Sequence, residues 1–147
     1  MDGRSRTTRQ ASSTGKTGKA VLDASALLAY LFDEPGAETV AEALASGVAM
    51  SAVNLSEVLA KLEDHGVGVD RAIRDLTAYG ILDAIEIMDF TLAQAQEAAR
   101  LRTSTTIMGL SLADRACLAL AKTLGLPALT ADSTWTAVPG VSVRLIP

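Results

Sequence analysis

From Ala20 onward, short apolar runs alternate with stretches of helical periodicity, and this alternation constrains the fold more than any other feature of the chain. Ala20-Val21-Leu22, Val48-Ala49-Met50, Ala84 to Met88, Pro127 to Leu129 and Val141 to Leu145 read as strands. Ser25 to Phe32, Ala37 to Ser46, Asn54 to Asp64, Asp70 to Ala78, Thr91 to Arg102 and Ser111 to Leu124 carry the helical spacing. Asp70 and Ser111 stand where N-caps belong, and Gly47, Gly80 and Gly125 stand just past helix ends. Segments 33–36 and 103–110 read as loops. Strands that alternate with helices imply a mostly parallel sheet with both faces covered, an α/β/α three-layer sandwich.

The chain has 147 residues, one domain's worth, with no internal repeat and no boundary after residue 20. Nearly half of it is apolar but only 3% is aromatic, so the core is built from Ala, Leu, Val and Ile. Residues 1–19 are Ser, Thr, Gly and basic residues and read as a disordered tail ahead of a domain at 20–147. Gly15-Lys16-Thr17 resembles the end of a phosphate-binding loop, but Gln10 stands where that motif needs glycine. The tail holds five basic residues against one acid, which leaves residues 20–147 with eight net negative charges. Such a body is a poor general binder of nucleic acid, since affinity for phosphate comes from Lys and Arg.

The single cysteine, Cys117, has no partner for an intrachain disulfide and reads as a small buried hydrophobe. The single histidine, His65, falls at a helix end, where it complements the helix dipole, so neither a zinc site nor a Ser-His-Asp arrangement is supported. No apolar run approaches the roughly 20 residues of a membrane span, and the basic start is not followed by a secretory apolar stretch. The expectation is a cytoplasmic protein without a membrane partner.

In an open α/β sheet, ligands bind beyond the carboxyl ends of the strands. Asp23 directly follows the first strand, and Asp132 follows the strand ending at Leu129 by three residues, so both carboxylates fall at that edge. Asp23 also reads as the N-cap of the helix behind it, a role compatible with binding a cation. Asp114 precedes Cys117 and Leu118 by three and four residues and borders their apolar face. Buried and ionised there without a partner it would cost several kcal/mol, so it calls for a cation. Glu57 has Lys61 one turn on and, taken alone, reads as an ordinary surface residue rather than a metal ligand. Carboxylates gathered without His or Cys suit a hard cation, Mg²⁺ or Mn²⁺, and the chemistry such a centre suits is phosphodiester hydrolysis.

Four segments in order carry a family resemblance. Val21-Leu22-Asp23-Ala24-Ser25-Ala26-Leu27-Leu28-Ala29 resembles the opening strand and first acid of PIN domains. Ser51-Ala52-Val53-Asn54-Leu55-Ser56-Glu57-Val58 resembles their second motif. Leu110 to Ala121, with Asp114, resembles the third in the form typical of VapC-like toxins. Leu129-Thr130-Ala131-Asp132-Ser133-Thr134-Trp135 resembles the fourth. Each motif is weak alone; the ordered set, spread over residues 20–147, is specific.

The resemblance implies a Mg²⁺- or Mn²⁺-dependent endoribonuclease, the toxin of a toxin–antitoxin system, usually a homodimer and paired with a VapB-type antitoxin. It implies Asp23, Glu57 and Asp114 as the principal catalytic and metal-binding acids and Asp132 as the fourth. Ser25 and Thr130 would be supporting hydroxyls that orient carboxylates or water. Asn54 would do likewise or cap the following helix. Arg115 would meet phosphate or form a surface ion pair. RNA contact would fall to arginines such as Arg71, Arg74, Arg100 and Arg102 or to a dimer groove. The tail is longer than the family needs: a misassigned start, an RNA-holding arm or a solubility tail, with irrelevance to the chemistry favoured. The rival readings are a catalytically silent PIN-like scaffold that binds an antitoxin or RNA, and a haloacid-dehalogenase-like phosphatase. The latter needs a second acid where Ser25 stands.

Overall fold

A computed structural model describes residues 18–147, so residues 1–17, with the tail reading and the Gly15-Lys16-Thr17 motif, lie outside the described residues. The elements run β1 (Val21–Leu22), α1 (Ala24–Leu31), α2 (Ala37–Ser46), β2 (Val48–Ser51), α3 (Ala52–Asp64), α4 (Val69–Ala78), β3 (Ile85–Met88), α5 (Leu92–Arg100), α6 (Arg102–Thr105), α7 (Leu112–Leu124), β4 (Ala128–Thr130) and β5 (Val143–Leu145). Short 3-10 turns at Leu82–Ala84 and Ser133–Ala137 complete the order.

The five strands form one sheet in the order β3-β2-β1-β4-β5, and every pairing is parallel. The chain builds outward from β1 through β2 to β3, then crosses back and builds the other way through β4 and β5. The reversal falls between β1 and β4, where Val21 pairs with Ala128 and Leu22 with Leu129. Loops leaving two neighbouring strands part in opposite directions at such a point and open a crevice at their carboxyl ends.

Side-chain alternation along the strands divides the core in two. Leu22, Met50, Val48, Ile85 and Leu129 face one layer, where they meet α1, α2, α3 and α4 through Leu27, Val40, Val58 and Leu76. Val21, Ala49 and Ala128 face the other, where they meet α5 and α7 through Ala98, Leu118 and Leu120, with Trp135 closing the cluster. The three-layer sandwich expected from the sequence is therefore present. In α7 every residue from Arg115 to Ala121 is buried, and its alanines let the helix lie close between the sheet, α5 and α3. Gly36 sits at φ 97°, in left-handed backbone, and a Cβ there would come within 2.8 Å of the Ile146 side chain. The turn before α2 and the chain's last residues thus pack where only glycine fits.

Several boundaries differ from the sequence reading. Gly68 rather than Asp70 caps α4, and Asp70 lies in its first turn. Helix α3 begins at Ala52 under a Ser51 cap, which places Asn54 inside the helix and removes its capping role. The segment read as a loop at 103–110 opens with α6. His65 is the C-cap of α3 as expected, with Nδ1 2.9 Å from the Lys61 carbonyl. Among the described residues no helix is long and apolar enough to cross a membrane.

Candidate active site

Asp23 leaves β1 at the reversal point and is 5% exposed. It caps α1, with Oδ1 accepting the Ala26 amide at 2.8 Å. Ser25 Oγ donates into the carboxylate at 2.8 and 2.9 Å. Thr130, the last residue of β4, reaches across the crevice, and its hydroxyl donates to Asp23 Oδ2 at 2.6 Å. The same hydroxyls continue the network: Ser25 Oγ accepts the Ala131 amide at 3.1 Å, and Thr130 Oγ1 accepts the Asp132 amide at 3.1 Å. Ser25 and Thr130 are thus the groups that hold Asp23 and the start of the Asp132 turn together.

These donors do not offset desolvation. Burial pushes the Asp23 carboxyl up to about 6, against the Thr130, Ala26 and Ser25 hydrogen bonds and with a smaller push from Asp114. A carboxyl this buried carries its charge at neutral pH only at a cost. Among the described residues, no Lys or Arg nitrogen lies within ion-pair distance of Asp23, Glu57, Asp114 or Asp132.

Asp114 lies in the first turn of α7 and forms a capping box: Ser111 Oγ accepts the Asp114 amide at 3.1 Å, and Asp114 Oδ2 accepts the Ser111 amide at 2.9 Å. One carboxylate oxygen is spent on the helix start, and the other has no hydrogen-bond partner among the described residues. Glu57 is exposed on α3. Its carboxyl is also raised, first by desolvation and then by Asp114, while Asn54 one turn back and Lys61 one turn on oppose the shift. The thiol of Cys117, one turn along α7 from Asp114, is raised by its full burial and by the charges of Asp23, Asp114 and Glu57. The three acids therefore share one electrostatic neighbourhood around the N-terminal half of α7, and Cys117 is the buried core residue the sequence suggested. Asp132 is exposed and caps its own turn, its Oδ1 accepting the Thr134 amide at 2.9 Å and hydroxyl at 2.7 Å.

Among the described residues, no group of three His, Cys, Asp or Glu converges at metal-binding distance. The donor set nevertheless fits a hard divalent cation. It is all oxygen, and among the described residues its buried carboxylate has no cationic partner and Asp114 and Asp132 each keep an oxygen without a hydrogen-bond partner. Glu57, Asp114 and Asp132 are not buried.

Two assignments change. Arg115 is buried to 9% exposure, and its guanidinium turns between α7 and α5 to donate to the Ala98 carbonyl at 3.2 Å. It is neither a phosphate contact nor a surface ion pair. Trp135, given no role from sequence, is wholly buried and anchors the turn that carries Asp132. Its signal was available: the only tryptophan of the chain follows that acid by three residues.

The comparisons with known proteins agree with this fold. Solved structures similar to this chain include VapBC-5 of Mycobacterium tuberculosis, at 27% identity and TM-score 0.51 over 88% of this chain and 98% of that one. FitAcB of Neisseria gonorrhoeae matches at 23% identity and TM-score 0.64 over 84% and 95%. DNA-bound VapBC of Salmonella typhimurium matches at 16% identity and TM-score 0.65 over 86% and 97%, a likeness of fold. No curated protein matches the sequence. The PIN domain family model matches residues 20–141, the whole body from the first strand past the fourth acid, and the chain belongs to the PIN domain family.

Proposed function

We propose that this chain is the toxin of a VapC-type toxin–antitoxin system and acts as a divalent-metal-dependent endoribonuclease. The observation that carries the reading is the Asp23 carboxylate, buried at the strand-order reversal, oriented by Ser25, Thr130 and Ala26, and without a cationic partner among the described residues. The fold likeness to solved chains of VapBC and FitAcB structures supports the same reading and a VapB-type antitoxin as partner. Assembly as a homodimer belongs to this proposal.

Asp23, Glu57 and Asp114 would hold Mg²⁺ or Mn²⁺, with Asp132 the fourth acid. Bound there, the ion supplies Lewis-acid stabilisation of phosphate charge and lowers the pKa of water for in-line attack. Ser25 and Thr130 hold the Asp23 carboxylate in one orientation, so no rotamer search precedes binding. The capping box holds one oxygen of Asp114 and leaves the other for the ion. Arg74 and Arg102 are exposed and suit backbone phosphates, whereas Arg71 and Arg100 are paired to Asp75 and Glu97.

The test is incubation with total RNA, with Mg²⁺ or Mn²⁺ and with chelator, beside Asp23→Asn. The expected result is discrete fragments with 5′-phosphate and 3′-hydroxyl ends that require both the metal and Asp23. Antitoxin binding without cleavage of any RNA would favour the silent scaffold instead.

A further inference from the structure

At the edge of the sheet, β5 contributes little burial of its own: Arg144 and Leu145 are exposed. The next residue, Ile146, is 6% exposed, and its side chain joins the core layer that holds α1 and α2. It lies against Gly36, in the turn between those helices, so closely that a Cβ at Gly36 would meet Ile146 side-chain atoms at 2.8 and 2.9 Å. The main chain of Ile146 makes a different contact. Its amide donates at 2.9 Å to the Thr130 carbonyl, one step beyond the paired residues Thr130 and Leu145. Thr130 is the residue whose hydroxyl donates to Asp23 at 2.6 Å and accepts the Asp132 amide at 3.1 Å. One residue thus joins the α1–α2 turn to the end of the strand that orients Asp23. A short strand paired on one side only has few contacts against local opening, so a buried side chain at its end matters.

We infer that Ile146 is a positioning residue for the carboxylate site: its buried side chain clamps the end of β4 through the Ile146–Thr130 hydrogen bond and so keeps the Thr130 hydroxyl on Asp23. The inference rests on the carboxylate-site reading above. Gly36 is the other half of the clamp. A side chain there would push Ile146 from its seat, and the φ of 97° suits glycine alone.

The experiment is calorimetric titration of Mn²⁺ into metal-free wild type, Ile146→Ala, Gly36→Ala and Leu76→Ala at a temperature where all are folded, with thermal unfolding of each measured in chelator. Leu76, buried on α4, is the control for lost packing alone. Ile146→Ala and Leu76→Ala should each lower the unfolding temperature by about 10 °C. Ile146→Ala and Gly36→Ala should also weaken Mn²⁺ binding about tenfold, within the range for disturbing a group that orients metal ligands, and Leu76→Ala by less than about twofold. In a Thr130→Val background, where the hydroxyl is gone, neither clamp variant should weaken binding further. Gly36→Ala supplies the reading if Ile146→Ala does not fold. Wild type that binds Mn²⁺ while the clamp variants bind as Leu76→Ala does would overturn the positioning role and leave the carboxylate site standing. An equal loss with and without the Thr130 hydroxyl would likewise overturn it. Wild type that binds no Mn²⁺ would overturn the carboxylate site and the clamp with it.

Discussion

The two sides of the candidate site are built differently. On the sheet side, Asp23 is buried where β1 and β4 part, and hydroxyls from Ser25 and Thr130 fix it before any ligand arrives. On the helix side, Glu57 and Asp114 project from α3 and α7, partly solvated, and Asp114 serves its own helix through a capping box. The sheet-side acid strains the fold, because its charge is desolvated. The helix-side acid supports the fold, because its charge meets the N-terminal end of a helix dipole. In the proposed site, Asp23 would be a rigid, desolvated ligand, and the partly solvated Glu57 and Asp114 would be the adaptable ones.

This difference makes opposite predictions for substitutions of similar chemistry. The largest effect belongs to Asp23→Asn, which should lower RNA cleavage by about 10²–10³-fold, as for loss of a group that stabilises transition-state charge. The same change should make the metal-free protein more stable relative to wild type as pH rises. The folded carboxyl titrates at about 6 against an ordinary value of 3.8, so between these values the folded state binds more protons than the unfolded. Wild-type stability is therefore lost as pH rises through this window, by roughly 3 kcal/mol in all, and the variant escapes that loss. Chemical denaturation of both proteins at pH 4 and pH 7 without metal measures the difference. A gap that does not widen with pH would show that the Asp23 charge does not strain the fold.

Next in size is Thr130→Val, which removes the hydroxyl that joins Asp23 to the Asp132 turn with little change of volume. Mn²⁺ affinity should fall about 10–100-fold in a calorimetric titration, with Asp23 losing its strongest opposing hydrogen bond. Asp114→Ala should also suppress cleavage, but it should destabilise the metal-free protein by about 1 kcal/mol through loss of the capping box, the reverse of the Asp23 result. Thermal unfolding in chelator would show the opposed signs. The smallest effect is expected for Lys61→Met. Lys61 acts on Glu57 from one turn away on an exposed face, and removing it should change Mn²⁺ affinity by less than about threefold.

The sheet side was the more legible of the two in the sequence. An acid directly after Ala20-Val21-Leu22, and another after Pro127-Ala128-Leu129, place themselves once the strands are read, because strand ends define one edge of a parallel sheet. Thr130 and Ser25 came from the family resemblance, and the structure gives both a partner. The helix side was harder because helical spacing gives a face but not a neighbour. Ser51 ends β2 and caps α3 at once, so the helix starts earlier than its apolar pattern, and Asn54 moves from a cap to a buried contact. Arg115 looked like a surface residue beside Asp114, yet one step along a helix is a turn of about 100°. That rotation points it into the α5–α7 contact. Ser111 and Asp114 do carry the Ser-x-x-acid spacing of a capping box, which would have shown that one oxygen of Asp114 is already engaged.

Whether a divalent cation relieves the strain at Asp23 is tested most directly by thermal unfolding at pH 7.5 with and without Mn²⁺. Binding to the folded state alone raises the unfolding temperature with metal concentration, so wild type should shift upward while Asp23→Asn, already relieved of its charge, should shift little. Equal shifts for the two proteins, or none for wild type, would contradict relief of Asp23 by the metal.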